Sequence, residues 1–195
     1  MNRWDILMMA LGMFSAATAQ TTAAPVKIKI LVYDYAKLAS QPLSQSLEET
    51  AEVFHKAGIE PEWCVGTATI EQCLAEKQQS GGPVLRLNLL DETMAARVPR
   101  DAKEVGFAQR EVAYVNVLRV QHMAQQGQFQ AKVVLGHIIA HELGHVLLGP
   151  NAHSHRGLMS ATLGKKELEE AHWGALRFSP EEAAKMRGKI RTRQD

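Results

Sequence analysis

The sequence predicts an α/β protein: a small twisted mixed sheet carrying two long helices, followed by an irregular C-terminal subdomain that ends in a helix. Three observations support this. Residues 26–35 (VKIKILVYDY) alternate apolar and polar as a half-buried strand does. Apolar residues recur at three- and four-residue spacing in two separate places, 43–57 and 131–148, the pattern by which a helix presents a stripe to a core. The signals follow the order β-α-β-β-β-β-α, which argues for a sheet with helices on it and against a bundle or a sandwich.

Taken in order, the first helix carries Leu43, Leu47, Ala51, Phe54 and Ala57 as its stripe, with Ser46 and Glu49 spaced as a capping box and Gly58 as its stop. Ile59 to Val65 and Val84 to Leu90 read as strands, separated by a cysteine loop and a Gly81-Gly82-Pro83 break. Residues 105–109 (VGFAQ) and 112–118 (VAYVNVL) read as two short strands about a tight turn. The second long helix stops at Gly149-Pro150. Ser179-Pro180-Glu181-Glu182 supplies cap, first-turn proline and capping-box acid for the last helix. Its basic residues Lys185, Arg187, Lys189, Arg191 and Arg193 read as a solvated face. No repeat or long linker divides the chain, so residues 20–195 form one domain, with sheet and central helix over 26–148 and the C-terminal part over 149–195.

Composition narrows the function. Lys+Arg 22 against Asp+Glu 21 in 195 residues gives a net charge of +1, and no block of like charge marks a nucleic-acid-binding tail. After the first twenty residues no stretch approaches the roughly 20 apolar residues of a membrane span. The N-terminus has the three parts of a secretory signal: Arg3, an apolar run from Ile6 to Phe14, and Ala17-Thr18-Ala19. Residues 1–19 are therefore expected to be removed after Ala19, leaving a secreted or periplasmic monomer. In that oxidising setting the two cysteines, Cys64 and Cys73, are expected to form one disulfide.

Five of the eight histidines fall between 137 and 155. His141 and His145 are four apart, one helical turn on one face, and can share a tetrahedral Zn2+ at about 2.0–2.1 Å. Glu142 lies between them, placed to reach a water beside the metal without being a ligand, so His141-Glu142-x-x-His145 reads as a zinc-hydrolase signature. The flanks Val133, Leu135, Ile138, Ile139, Leu143, Val146 and Leu147 are apolar, so the helix is buried, and buried imidazoles and a carboxylate need a partner such as a metal. His137, one turn earlier, reads as a core histidine. A third ligand is expected from His153 or His155, with His153 preferred because Ser154 follows it.

At these residues the sequence resembles the metzincin clan of zinc endopeptidases, and within it most closely the matrixins. The matching positions are His141, Glu142 and His145, the turn at Gly149, the pair His153-Ser154, and Leu158-Met159 as the Met-turn. It also resembles uncharacterised secreted bacterial proteins with the same His-Glu-Leu-Gly-His, His-Ser and Gly-hydrophobic-Met run. Leu148 stands where the family has glycine, and His153 comes two residues later than the family's third histidine. The resemblance implies a metzincin-like fold with Zn2+ held by His141, His145 and His153. It further implies Glu142 as general base and a peptide or protein substrate lying along a sheet edge. The candidate edge is Val105 to Gln109, where Gly106 and Ala108 leave room for a peptide backbone. Two alternatives stand beside it: a gluzincin-type hydrolase with Glu167, Glu169 or Glu170 as third ligand, and a secreted zinc-binding protein that turns nothing over.

Overall fold

The structure is a computed structural model and describes residues 24–80, 83–98 and 104–192. The expected signal segment 1–19, Gly81-Gly82 and Arg193 lie outside the described residues. Five strands are seen: β1 (Val26–Asp34), β2 (Ile59–Val65), β3 (Val84–Leu90), β4 (Gly106–Gln109) and β5 (Val112–Asn116). The helices are α1 (Ser40–Lys56), α2 (Thr67–Ser80), α3 (Glu92–Ala95), α4 (Val117–Gly127), α5 (Ala131–Leu148), α6 (Lys165–His172) and α7 (Pro180–Arg191). The strands form one sheet in the order β2-β1-β3-β5-β4. All pairs are parallel except β4 with β5, so the sheet is mixed, as expected, and β4 is an edge.

Side-chain alternation divides the strands between two faces. Ile28, Ile30 and Val32 of β1, Leu85, Leu87 and Leu89 of β3, and Ala113 and Val115 of β5 enter the main core with α1, α4 and α5. Leu31, Cys64 and Val84 point the other way and pack against Ile70 and Cys73 of α2. The expected loop between β2 and β3 is thus a helix whose buried residues stand three apart. A Cys64–Cys73 disulfide and an ion pair between Lys29 and Glu76 fasten it to the sheet. That pair raises the Lys29 pKa, and the bond from Lys29 lowers that of Glu76.

Three further boundaries differ from expectation. α1 begins at Ser40, and Ser46 is no cap: its hydroxyl donates back to the Pro42 carbonyl at 2.8 Å, inside the helix. The run 112–118 is strand only to Asn116, whose Oδ1 accepts from Arg119 N–H at 3.2 Å and caps α4. The tail is less irregular than predicted, because α6 intervenes, with Glu167 accepting from Gly164 N–H at 3.0 Å. The α7 cap is as read, Ser179 and Glu182 bonding reciprocally. Arg187 leaves the solvated face and donates to the Ala57 carbonyl at the end of α1.

Contrary to the expectation that no stretch beyond residue 20 approaches a membrane span, the central helix α5 reaches that length and apolarity. Its surroundings are protein: α1, α4, α6, α7, β3, β4 and β5 pack around it, and every residue from Val133 to Leu147 is buried. A helix buried all round places His141, Glu142 and His145 in the interior on a rigid support.

Candidate metal centre

Two of three convergent imidazoles come from α5. His141 Nε2 and His145 Nε2 are 3.1 Å apart, and His145 Nε2 lies 3.0 Å from Nε2 of His153, which arrives from the loop after the helix. These three are the group of histidine, cysteine and acidic side chains, among the described residues, whose ligand atoms meet within 4.8 Å. Neighbouring ligands on a tetrahedral zinc at 2.0–2.1 Å stand roughly 3.3 Å apart. The observed separations match that spacing.

Backbone carbonyls set the protonation of the two helical rings. His141 Nδ1–H donates to the Leu158 carbonyl at 2.7 Å and His145 Nδ1–H to the Gly149 carbonyl at 3.2 Å. A carbonyl only accepts, so each Nδ1 carries the proton and each Nε2 offers a lone pair. Two lone pairs facing each other across 3.1 Å repel unless a cation lies between them, and the donor set fits Zn2+. Burial pushes the pKa of His141 down to about 4, against the opposing bond to Leu158, and lowers that of His145 for the same reason. Both are neutral, ligand-ready imidazoles at neutral pH.

The loop that brings His153 is tied at several points. Gly149 leaves the helix at φ 116°, a conformation that favours glycine, while its N–H still bonds the His145 carbonyl. Ser154 N–H bonds the Met159 carbonyl at 2.8 Å, Ser154 bridges to Ser160, and Leu158 N–H bonds the Arg177 carbonyl. Leu158 therefore links the loop to His141 through its carbonyl and to the segment before α7 through its amide. Met159 is fully buried against α5, and a Cβ at Gly144 would stand 2.6 Å from its sulfur. Glycine inside His-Glu-Leu-Gly-His is thus a packing requirement of the methionine turn.

The other expected residues lie elsewhere. His155 is exposed and outside the convergent group, and His137 is buried with its Nδ1 2.8 Å from the Val133 carbonyl. Glu169 and Glu170 face Lys165 and Lys166 along α6, while Glu167 caps that helix. None of the three glutamates belongs to the convergent group.

Glu142 is buried and lines, with the three histidines, a cleft of about 490 Å³. The cleft is also lined by Val105 and by Gly106 to Ala108 of β4, by Met123 and Ile138, and by residues 160–164. Met123 belongs to α4, a helix the sequence reading missed; the Asn116 cap ahead of Val117, Val120 and Ala124 was the available signal. Within β4, Phe107 turns away to stack on Tyr114, with centroids 4.5 Å apart, so Gly106 and Ala108 turn toward α5. At Gly106 the small size serves the contact between strand and helix, since an added Cβ would stand 2.7 Å from Glu142 Oε1.

No protein-family model matches the chain, and no curated protein matches it. Among solved structures it is similar to an archaemetzincin from Methanopyrus kandleri, at 14% identity and a TM-score of 0.48 over 87% of this chain and 98% of that one. It is likewise similar to a zinc-dependent peptidase from Methanocorpusculum labreanum, at 14% identity and a TM-score of 0.49 over 82% of this chain and 99% of that one. What the chain itself presents is a three-histidine centre that fits zinc, beside a buried carboxylate, in a cleft bounded by the edge of a mixed sheet.

Proposed function

We propose that the protein is a zinc-dependent endopeptidase, exported by way of residues 1–19 and acting as a monomer on peptide or protein substrates. The observation that carries the reading is the convergence of His141, His145 and His153 Nε2 atoms beside Glu142 in one open cleft. His141, His145 and His153 would hold the zinc, which would supply Lewis acidity to a scissile carbonyl and to a nearby water. Glu142 accepts the proton of that water and delivers it to the leaving amine. The carbonyls of Leu158 and Gly149 keep His141 and His145 oriented throughout. An extended peptide aligns along β4, whose outer side has no strand partner among the described residues.

Glu142→Gln tests the reading. It should retain zinc and fold while lowering peptide hydrolysis by about 10²–10⁴-fold, the usual contribution of a general base. Activity that survives the substitution would remove Glu142 from the mechanism. Zinc bound stoichiometrically with no cleavage of any peptide in a broad library, by wild type or variant, would favour a zinc-binding protein.

A further inference from the structure

We infer that Gly106 is a positioning residue for Glu142: the bare Cα of the edge strand is the wall against which the Glu142 side chain stands. The inference rests on the reading of Glu142 as proton acceptor. Gly106 opens β4 opposite Val115 of β5 and lines the cleft across from α5. A Cβ added to it would lie 2.7 Å from Glu142 Oε1, 2.8 Å from Glu142 Cγ and 2.9 Å from the Tyr114 carbonyl oxygen. All three are closer than a carbon atom can come.

Glycine inside a strand weakens it, so its presence needs a reason. Backbone conformation does not provide one, because Gly106 is not among the residues with positive φ. Space does. The contact to Cγ matters more than the contact to Oε1, since a carboxylate can rotate away while Cγ moves only if χ1 changes. On a buried helix the third χ1 well drives the side chain into the preceding turn, so few alternatives remain. The strand that borders the cleft therefore also fixes the seat of the carboxylate, and a methyl group at 106 displaces Glu142 while leaving the three imidazoles, on α5 and the following loop, where they are.

A double-substitution cycle on thermal stability tests this without reference to activity. Gly106→Ala should lower the Tm of the full-length protein by roughly 2–10 °C, as overpacking in a domain of this size does. The part of that loss due to Glu142 should vanish when the same change is made in a Glu142→Ala background, leaving the part due to the Tyr114 carbonyl. An equal loss in both backgrounds would overturn the inference, placing the clash at the Tyr114 carbonyl, and so would no loss in either. If Gly106→Ala alone does not fold, folding of the double variant supports the inference and failure of both overturns it. In the active protein, Gly106→Ala should reduce kcat about 10²-fold, the effect of misplacing a catalytic group by about 1 Å, with zinc affinity unchanged; wild-type kcat would overturn it. Absence of any cleavage by the wild type would strike the peptidase reading, and the stability cycle would still decide the role of Gly106.

Discussion

His141 and His145 are buried and carried by a helix, whereas His153 is exposed on a loop, so the three imidazoles meet under unequal constraint. That inequality gives the ligand test its form. His153→Ala should weaken zinc binding by more than the roughly 10–100-fold that loss of an outer partner alone produces, and His155→Ala should leave it unchanged, read by competition with a chromophoric chelator. The reverse result would move the third ligand to His155. Acid sensitivity follows from the same rings. Unfolded histidines protonate near 6.5, whereas buried His141 does so only at about 4, so between those values the unfolded chain binds protons that the folded chain refuses. The zinc-free protein should therefore be fully stable above about pH 6.5 and lose stability as pH falls toward 4. Denaturant midpoints across that range check it, and His141→Gln should flatten the curve.

At the scale of elements, legibility followed amphipathicity. α7 was read to its cap because serine, proline and glutamate each have one strong local preference there, and α5 because its apolar run is too long for a strand. α2 was not read, since Ile70 and Cys73 are its buried residues and the cysteines drew the segment toward a loop. α4 was absorbed into the preceding strand because Val117 and Val120 are residues either structure accepts, and only the Asn116 bond decides between them. At the site, the signature histidines were legible from spacing, but the Leu158 and Gly149 carbonyls that hold them are backbone groups with no mark in the sequence. The disulfide belongs to the sheet face opposite α5. Replacing Cys64 and Cys73 together by alanine should reduce stability by up to about 3 kcal/mol and leave zinc affinity unaltered, as calorimetry and chelator competition would show. A fall in zinc affinity would mean that the two faces communicate.

For the molecule as a whole, the order β2-β1-β3-β5-β4 could not be read from sequence, because it depends on which faces of the strands meet α1, α2 and α5. The fold places α1, α4, the sheet and the C-terminal helices around α5, so a ligand joining His153 to His141 and His145 ties the loop after α5 to the core. Free zinc at 100 times its Kd should stabilise the protein by about 2.7 kcal/mol, or roughly 5–10 °C in Tm. Scanning calorimetry with and without a chelator measures this, and an unchanged Tm would show that no zinc binds the folded state.

The edge strand sets one last condition. An unpaired sheet edge attracts any extended chain, and proteins ordinarily blunt such edges by shortening or charging them. β4 is four residues long, Gly106 to Gln109, which limits the main-chain ladder that a passing strand could form. A four-residue template offers little to self-association, and on the proposed function it would also offer little to a substrate by backbone pairing alone. For the proposed peptide substrate, the balance of affinity would have to come from side chains lodged in the cleft beyond β4, so an edge too short to hold any extended chain would be one that selects by side chain.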